Sequence, residues 1–309
     1  MVFLLSKDIL EEFIVELQVQ NYSPRTIKGY KNNNLLMFTF IEKEFRLKEI
    51  EEIKPIHIKA YIKFLQRNKR KTIYINGIIK CFRAFFKFAV NEEIIETNPM
   101  LNIGWLRDTK TLIHSFTDEE VERMMKVYIG SEYLVIRNKL IMAFLLDTGI
   151  RCLELCSITN GDVKENSLII KYGKGNKQRI VAISPYVKRL ILRYVKCRDN
   201  RFRDRTIDEN TPFFVSYRFK ALTVEGVERV VKICGQKANI RKDIRCSPHT
   251  CRHYFAQAQL RNGLDVYSLS RLLGHENIAI TKRYLQSIQD IDIVEMSVKT
   301  SPLMNLGRK

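Results

Sequence analysis

Apolar positions in the first hundred residues recur at the spacing of α-helices. The clearest case lies near residues 72–91, where apolar side chains fall at i, i+3, i+4, i+7, i+10, i+11 and i+14. These side chains are Ile75, Ile78, Ile79, Phe82, Phe85, Phe86 and Ala89. The stripe predicts a helix that buries one face, and we expect Asn98-Pro99 to end it.

Three further helices are predicted before this one. The first covers residues 8–20. Ser23 followed by Pro24 is typical of a helix start, with serine as the N-cap and proline at the first helical position, and this second helix runs toward Glu44. Pro55 opens a third helix that runs toward Arg67. The pattern therefore predicts a four-helix domain over residues 1–106.

A second domain is expected over residues 115–309, after a linker at 107–114. Thr117 and Glu120 have the spacing of a capping box, which predicts a helix start. Helices are expected at residues 117–128 and 134–147, from about 151, and at 186–199, 223–238, 248–261, 265–273 and 278–286. The last 15 or so residues are expected to form either a helix or a tail.

One strong β signal lies inside this second domain. Residues 167–172 and 178–183 are short β-prone runs on either side of Gly173-Lys174-Gly175-Asn176-Lys177. Two such runs around glycines predict a hairpin. The expected fold class is mainly helical with a small β-hairpin: a four-helix N-terminal domain and a mixed α/β second domain.

The charge points to a polyanionic partner. Lys and Arg number 53 against 34 Asp and Glu, a net charge of +19. Residues 1–106 carry 17 basic against 12 acidic side chains, so most of the excess lies in the second domain. The densest basic run, residues 188–205, is also typical of a solvated helix face. For the whole chain, however, such an excess favours nucleic acid binding.

Composition excludes several classes of protein. Apolar residues make up 45% of the chain, which excludes a disordered chain. There is no apolar run of about 18 residues for a membrane span, and the first residues lack the features of a signal peptide. The seven cysteines show no C-x-x-C spacing, so reduced thiols are the expectation. We therefore expect a cytoplasmic protein with no membrane partner.

Two short motifs suggest ligand sites but match them poorly. Gly173-Lys174-Gly175 joins two strands and lacks the spacing of a phosphate-binding P-loop. His249 and His253 lie one helical turn apart, as zinc ligands often do. The chain has no H-E-x-x-H motif and no cysteine pair at zinc-finger spacing. We expect neither a nucleotide site nor a metal site here.

Two other features have ordinary structural explanations when each is taken alone. Arg151 and Glu154, at i and i+3, fit a helix ion pair. Tyr284 fits a half-buried packing residue. Their place in a longer series of motifs changes this interpretation.

In order, the series contains Thr148-Gly149-Ile150-Arg151-Cys152-Leu153-Glu154-Leu155, the Lys174 hairpin tip, His249-Thr250-Cys251-Arg252-His253, Leu272-Leu273-Gly274-His275 and Tyr284. This order and spacing resemble the tyrosine recombinase (phage-integrase-type) family of site-specific DNA recombinases. The resemblance extends to the N-terminal part, where Ser23, Thr26 and Tyr30 are similar to positions in the family's core-binding domain. Cys251 stands where the family usually has leucine, and a buried thiol is a plausible apolar substitute.

The resemblance implies a role for each of these side chains. Tyr284 would be the nucleophile, and Arg151 and Arg252 would clamp the scissile phosphate. Lys174 would be the general acid. The remaining assignments are His249 for assistance in proton transfer, His275 for a hydrogen bond to a phosphate oxygen, and Glu154 and His253 for support of the site from behind. Other basic residues would contact DNA: Lys177, Arg179, Lys188, Arg189, Arg193, Lys196 and Arg198.

These residue types suit the chemistry. Charge in an in-line phosphoryl displacement builds on the non-bridging oxygens, which two guanidiniums can meet with paired hydrogen bonds. A tyrosine hydroxyl has a pKa near 10 and needs a base or a positive setting. Lys174 on a glycine-flanked tip can reach the leaving 5′-oxygen. His249 and Arg252 share the first turn of one helix, where the helix dipole also favours an anion.

The resemblance further implies a 3′-phosphotyrosine intermediate, with no metal, ATP or other cofactor, in a tetramer on two DNA sites. Two alternatives stay open: a relaxing enzyme like type IB topoisomerases, and a catalytically silent DNA-binding protein of the same fold. The chain begins almost directly with the core-binding helices. That start favours an Xer-like two-domain recombinase or one carried by a mobile element, and any need for accessory proteins is left open.

Overall fold

The computed structural model describes residues 6–107, 113–171, 178–285, 297–298 and 304. The chain folds into two compact units, residues 1–110 and residues 111–309. Most of the expected linker at 107–114 lies outside the described residues, and its bounds stay a prediction. The hairpin tip, with Lys174 and Lys177, also lies outside them.

The first unit contains the predicted helices. They are α1 (Ser6–Val19), α2 (Pro24–Phe45), α3 (Pro55–Arg67) and α4 (Thr72–Asn91). Ser23 caps α2 by accepting a hydrogen bond from the Thr26 backbone N–H at 3.2 Å. All seven apolar side chains of the α4 stripe are buried. The helix covers residues 72–91 as expected, but Asn98-Pro99 does not end it: α4 already stops at Asn91, and Glu93 then has a left-handed φ of 55°.

The second unit is mainly helical with one small sheet, as predicted. Its helices are α5 (Asp118–Met125), α6 (Tyr133–Thr148), α7 (Cys152–Ser157), α8 (Pro185–Arg201), α9 (Val224–Lys237), α10 (Pro248–Arg261), α11 (Val266–Leu273) and α12 (Ile278–Leu285). Strands β1 (Ser167–Ile170) and β2 (Arg179–Ala182) pair antiparallel. Ile170 lies opposite Arg179 at one end of the pairing.

Helix α6 forms the centre of this unit. From Leu140 to Leu146 every side chain is buried, so the helix is surrounded by protein on all sides. It ends at Gly149, which has a left-handed φ of 60°. A Cβ at Gly149 would collide with the ring of Phe255 in α10. Glycine is required here because α6 and α10 come together at this turn.

No helix in the parts of the chain that the structure describes combines the length and the apolar character needed to cross a bilayer.

Candidate active site

The N-terminal end of α10 carries the first arginine of the site. Ser247 caps this helix by accepting a hydrogen bond from the Thr250 backbone N–H, and Pro248 follows at the first position. Arg252, one turn later, is 4% exposed. Its Nη1 donates to the Gly149 carbonyl at 2.6 Å and its Nη2 to the Leu273 carbonyl at 2.7 Å. The guanidinium thus joins the ends of α6 and α11.

Three consecutive carbonyls at the end of α11 each accept a hydrogen bond from a different arginine. Arg179 Nε donates to Leu272 O at 2.9 Å, Arg252 to Leu273 O, and Arg151 Nη2 to Gly274 O at 3.0 Å. The last carbonyls of a helix lack partners inside the helix and carry its partial negative charge. The end of α11 therefore gathers three cations from β2, α10 and the start of α7, and we call these residues the arginine cradle.

Glu154 connects two members of the arginine cradle. Its carboxylate accepts hydrogen bonds from Arg151 Nη1 at 2.8 Å, from the Arg151 backbone N–H at 2.9 Å, and from Arg179 Nη1 and Nη2 at 2.8 and 2.6 Å. The side chain is 3% exposed. Burial alone raises the pKa of Glu154, but the hydrogen bonds and charge of Arg179, with those of Arg151, outweigh it and lower the pKa to about 2. Glu154 is ionised at neutral pH.

His275 follows Gly274, whose carbonyl bonds Arg151 of the arginine cradle, directly in the sequence. Its Nε2 lies 3.0 Å from Arg252 Nη2, and its Nδ1 lies 2.8 Å from the hydroxyl of Thr281, a fully buried residue of α12. Burial, together with the charges of Arg252 and Arg151, lowers the pKa of His275 to about 4. The imidazole is neutral at pH 7.

Tyr284 of α12 contacts His253, the residue of α10 that follows Arg252. Its hydroxyl lies 3.0 Å from His253 Nδ1, and the tyrosine is 3% exposed. Burial raises the pKa of Tyr284, although the charge of Arg252 opposes this change. Burial also lowers the pKa of His253 to about 4, with a contribution from the charges of His249 and Arg252. A neutral phenol therefore meets a neutral imidazole at neutral pH.

His249 lies on the open side of this pair. Its ring centroid is 4.1 Å from that of His253, one turn along α10. Partial burial, with the charges of Arg252 and Arg151, lowers the pKa of His249. The histidine closest to solvent is thus also biased toward the neutral form, which can accept a proton.

The site is electrostatically prepared for an anion. Burial and the charge of Arg151 lower the pKa of Arg252 to about 9, which still leaves this guanidinium protonated at neutral pH. Three guanidiniums therefore face one carboxylate, that of Glu154, among neutral histidines. Within residues 6–107, 113–171 and 178–285, no three His, Cys, Asp or Glu side chains are grouped as metal ligands. A phosphate group is the ligand that this charge pattern matches.

The structure brings together all but one of the residues predicted to be catalytic or to support the catalytic set. Their hydrogen bonds and ring contacts form three groups: Arg151 with Glu154, Arg252 with His275, and His253 with Tyr284 and His249. Chain neighbours link the groups, because Arg252 and Arg151 bond the adjacent carbonyls of Leu273 and Gly274, and Arg252 precedes His253. The exception is Lys174, which falls outside the described residues.

Comparison with known proteins identifies the family. The phage integrase family matches residues 114–290, and the phage integrase N-terminal SAM-like domain matches residues 10–93. The chain belongs to the phage integrase family. Among curated tyrosine recombinases, XerC of Anoxybacillus flavithermus is 29% identical over 284 residues, which cover 91% of this chain and 93% of XerC.

Solved tyrosine recombinase structures share the fold. A XerH site-specific recombinase bound to its palindromic difH substrate, in a post-cleavage complex, has a TM-score of 0.74 at 18% identity and covers 97% of this chain and 85% of that one. A lambda integrase tetramer bound to a Holliday junction has a TM-score of 0.73 at 15% identity, over 91% and 77% of the two chains. The resemblance expected from the motifs is confirmed, and the protein is a tyrosine recombinase.

Two of the arginines predicted to contact DNA have structural roles instead. Arg198 is 3% exposed, and its guanidinium donates to Asp199, Asn160 and the Phe213 carbonyl. It follows Val187, Ile191 and Tyr194 on the buried face of α8, a spacing that already indicated an inward position. Its burial and its protein partners argue against the DNA contact predicted for it.

Arg179 was also assigned to DNA, but it belongs to the arginine cradle. Its side chain is 10% exposed, and three of its nitrogen atoms donate to Glu154 and Leu272. Side chains alternate along a strand, so Arg179 shares the inward face of β2 with buried Val181, while Ile180 is exposed. That alternation is the sequence signal that would have found its role.

Of the other residues on α8 that are predicted to contact DNA, some already have a protein partner among the described residues and some do not. Lys188 Nζ lies 2.8 Å from Glu165, and Arg193 Nη2 donates to the Gly130 carbonyl at 2.6 Å. Arg189 and Lys196 are exposed. Among the residues described by the structure, these two have no hydrogen-bond or ion-pair partner. Arg189 and Lys196 are thus the best placed of the set to meet a phosphate.

Sequence reasoning missed Thr281. A threonine six residues after His275 matches none of the motifs, and its hydroxyl reaches the ring only because α12 turns back against the end of α11. Its complete burial beside the site marks it as the residue that holds the His275 ring.

Proposed function

We propose that this protein cuts and rejoins DNA strands through a 3′-phosphotyrosine intermediate, with Tyr284 as the nucleophile. One observation carries this proposal. Arg151 and Arg252 are fixed on adjacent carbonyls at the end of α11, while the Tyr284 hydroxyl is bonded to His253, the neighbour of Arg252. A phosphate held by the two guanidiniums would lie beside the nucleophile.

The chemical step is an in-line displacement at phosphorus. The Tyr284 oxygen forms a bond to phosphorus as the bond from phosphorus to the 5′-oxygen breaks, so the 3′ end of the strand stays esterified to the tyrosine. The phenol proton passes to an imidazole, and neutral His249 at the open side of the site is the proposed acceptor. Arg151 and Arg252 stabilise the charge on the non-bridging oxygens, and a preorganised donor of this kind contributes roughly 3–4 kcal/mol.

The leaving 5′-oxygen needs a proton, which we assign to Lys174. This lysine lies in the segment that joins β1 to β2, and β2 enters the site through Arg179. Rejoining reverses the step: a 5′-hydroxyl attacks the phosphotyrosine and its proton returns through Lys174. The bond energy is conserved in the ester, so the step requires no ATP. In this proposal Arg151 and Arg252 supply the charge stabilisation that a metal ion would otherwise give.

Recombination needs two DNA sites and two pairs of cleaved strands. We propose a homotetramer on two sites, and the lambda integrase tetramer bound to a Holliday junction supports the tetrameric state. The first unit, which matches the N-terminal SAM-like domain, is proposed to bind the same duplex.

A covalent adduct on DNA tests the proposal. The protein is incubated without added metal with duplexes that carry a nick near the cleavage position, so that the cut strand diffuses away and religation fails. Target sequences are first selected from genomic fragments by binding. The expected result is a band of retarded protein on a denaturing gel, absent for Tyr284→Phe, which still binds the DNA.

Two outcomes contradict the proposal. If the wild type binds a target specifically but forms no adduct, the chain is a binding protein. If Tyr284→Phe still forms the adduct, another residue is the nucleophile. Exchange of strands between two target duplexes then separates a recombinase from an enzyme that only relaxes supercoils.

A further inference from the structure

Arg179 occupies a central position in the site without facing the open side. Its guanidinium forms a bidentate pair with Glu154, at 2.8 and 2.6 Å, while its Nε bonds the Leu272 carbonyl. Glu154 in turn binds the Arg151 guanidinium at 2.8 Å. A continuous path of hydrogen bonds therefore runs from the end of α11 through Arg179 and Glu154 to the proposed phosphate clamp.

We propose that Arg179 is a positioning residue for cleavage, which fixes the Glu154 carboxylate and thereby the Arg151 guanidinium. The inference rests on the proposed function, because it assigns Arg179 a part in the same reaction. Arg179 itself does not touch the phosphate.

The geometry favours positioning over direct contact. Arg179 directs three of its nitrogen atoms to protein oxygens and is 10% exposed, whereas the Arg151 side chain is 28% exposed and keeps an open side. Gly274 packs against Arg179 so closely that a Cβ there would lie 3.1 Å from the arginine Cδ and Nη1 atoms. The Arg179 side chain is held from both sides, as a fixed support requires.

A fixed carboxylate matters because Glu154 holds Arg151 at two points. The carboxylate receives both the backbone N–H and the Nη1 of Arg151, so its orientation sets the direction of that guanidinium. Without the two hydrogen bonds that the Arg179 guanidinium donates, the carboxylate of Glu154 can rotate. A displacement of about 1 Å in a catalytic group costs about 100-fold in rate.

Arg179→Lys is the test, because it keeps the positive charge and removes the bidentate geometry. We expect single-turnover adduct formation at saturating DNA to fall about 100-fold, with DNA affinity unchanged within about threefold. Arg241→Lys is the matched control. Arg241 pairs with the buried carboxylate of Glu120 at 2.7 Å and also bonds the Ser115 carbonyl, outside the site. This control is expected to cleave at the wild-type rate.

A coupling measurement shows whether Arg179 acts through Glu154. In a Glu154→Gln background, Arg179→Lys should slow cleavage by no more than about threefold beyond Glu154→Gln alone. A substrate with sulfur in place of the leaving 5′-oxygen adds a second readout, because a thiolate leaves without a general acid. This substrate should rescue Lys174→Ala but not Arg179→Lys.

Several results would overturn the inference while leaving the proposed function intact. They are a wild-type cleavage rate for Arg179→Lys, losses that multiply with Glu154→Gln, rescue by the sulfur substrate, or a loss of affinity as large as the loss of rate. If Arg179→Lys does not fold, the paired change Glu154→Leu with Arg179→Met replaces the ion pair with apolar side chains of similar size. That variant should fold, bind DNA and still cleave about 100-fold more slowly. Failure of wild-type protein to form any adduct would instead refute the proposed function.

Discussion

Arg252 fixes the tautomer of His275. A guanidinium can only donate hydrogen bonds, so the contact of 3.0 Å between Arg252 Nη2 and His275 Nε2 makes this nitrogen an acceptor. The proton of the neutral ring is then on Nδ1, which donates to the Thr281 hydroxyl. For Nε2 to donate to a phosphate oxygen, Arg252 must turn to the phosphate and the proton must move to Nε2. The hydroxyl of Thr281 suits both forms, because it can accept from Nδ1 or donate to it.

Thr281→Val should therefore slow cleavage without affecting the core. Valine preserves the shape of this buried residue and removes the hydroxyl that serves both ring forms. We expect single-turnover adduct formation to fall about tenfold, which corresponds to about 1.4 kcal/mol and is the size of one hydrogen bond. Thr281→Ser, which keeps the hydroxyl, is the control. Equal rates for the valine and serine variants would show that the Thr281 hydroxyl does not set the state of His275.

Arg189 and Lys196, the exposed cations of α8 without a protein partner among the described residues, should govern DNA affinity and not the rate of cleavage. Arg189→Gln with Lys196→Gln removes two exposed charges, so DNA affinity should fall for all sequences. If both contact phosphates, the slope of log affinity against log salt should become shallower by about 1.8. Binding titrations from 50 to 200 mM salt measure this slope, and cleavage at saturating DNA should be unchanged.

Lys188→Gln provides the comparison for this pair, because the Lys188 ammonium already bonds Glu165. It should change the slope much less than either exposed residue does. A pair variant that binds normally but cleaves slowly would contradict the separation between cations that bind DNA and cations that act on the scissile phosphate.

Helix positions and the order of motifs could be predicted from the sequence, because they depend on local spacing. The α4 stripe and the Ser23 cap were predicted in this way, whereas the site residues of α7, α10 and α12 were assigned from the resemblance to the tyrosine recombinase family. The roles of Arg179 and Arg198 were not predicted, because charge alone suggests a surface position. Two facts decide these roles. Arg179 and Arg198 lie on the inward faces of β2 and α8, and their partners include carbonyl oxygens from distant segments, those of Leu272 and Phe213.

Stability should fall in acid because of the site itself. The pKa of His253 and that of His275 are lowered to about 4 from 6.5, so the unfolded chain binds more protons than the folded chain between these values. The free energy of unfolding therefore decreases as the pH falls from 6.5 to 4. The pKa of Glu154 is about 2 in the folded protein and 4.5 in the unfolded chain. As the pH falls through this interval, the free energy of unfolding therefore decreases by about 3 kcal/mol more.

Melting temperatures between pH 7 and 4 measure this effect. His253→Gln with His275→Gln has no titrating imidazole at these positions, so its melting temperature should fall less between pH 6.5 and 4.5 than that of the wild type. The exposed charges outside the site are the same in both proteins and cancel in the comparison. Parallel curves for the two proteins would show that the histidines are not depressed in the fold.

The hydrogen bond between His253 and Tyr284 is expected to aim the nucleophile. His253→Phe keeps an aromatic ring in the pocket and removes the bond at Nδ1, whereas in His253→Asn the side-chain amide can meet the phenol near the position of that nitrogen. We expect adduct formation to slow about tenfold for phenylalanine and less for asparagine, which matches the loss of one hydrogen bond of about 1.4 kcal/mol. Both variants should bind DNA as the wild type does, since His253 lies behind the arginines that face the phosphate. A faster reaction for His253→Phe would have the opposite meaning: the bond would hold Tyr284 in its buried position and away from the phosphate until DNA displaces it.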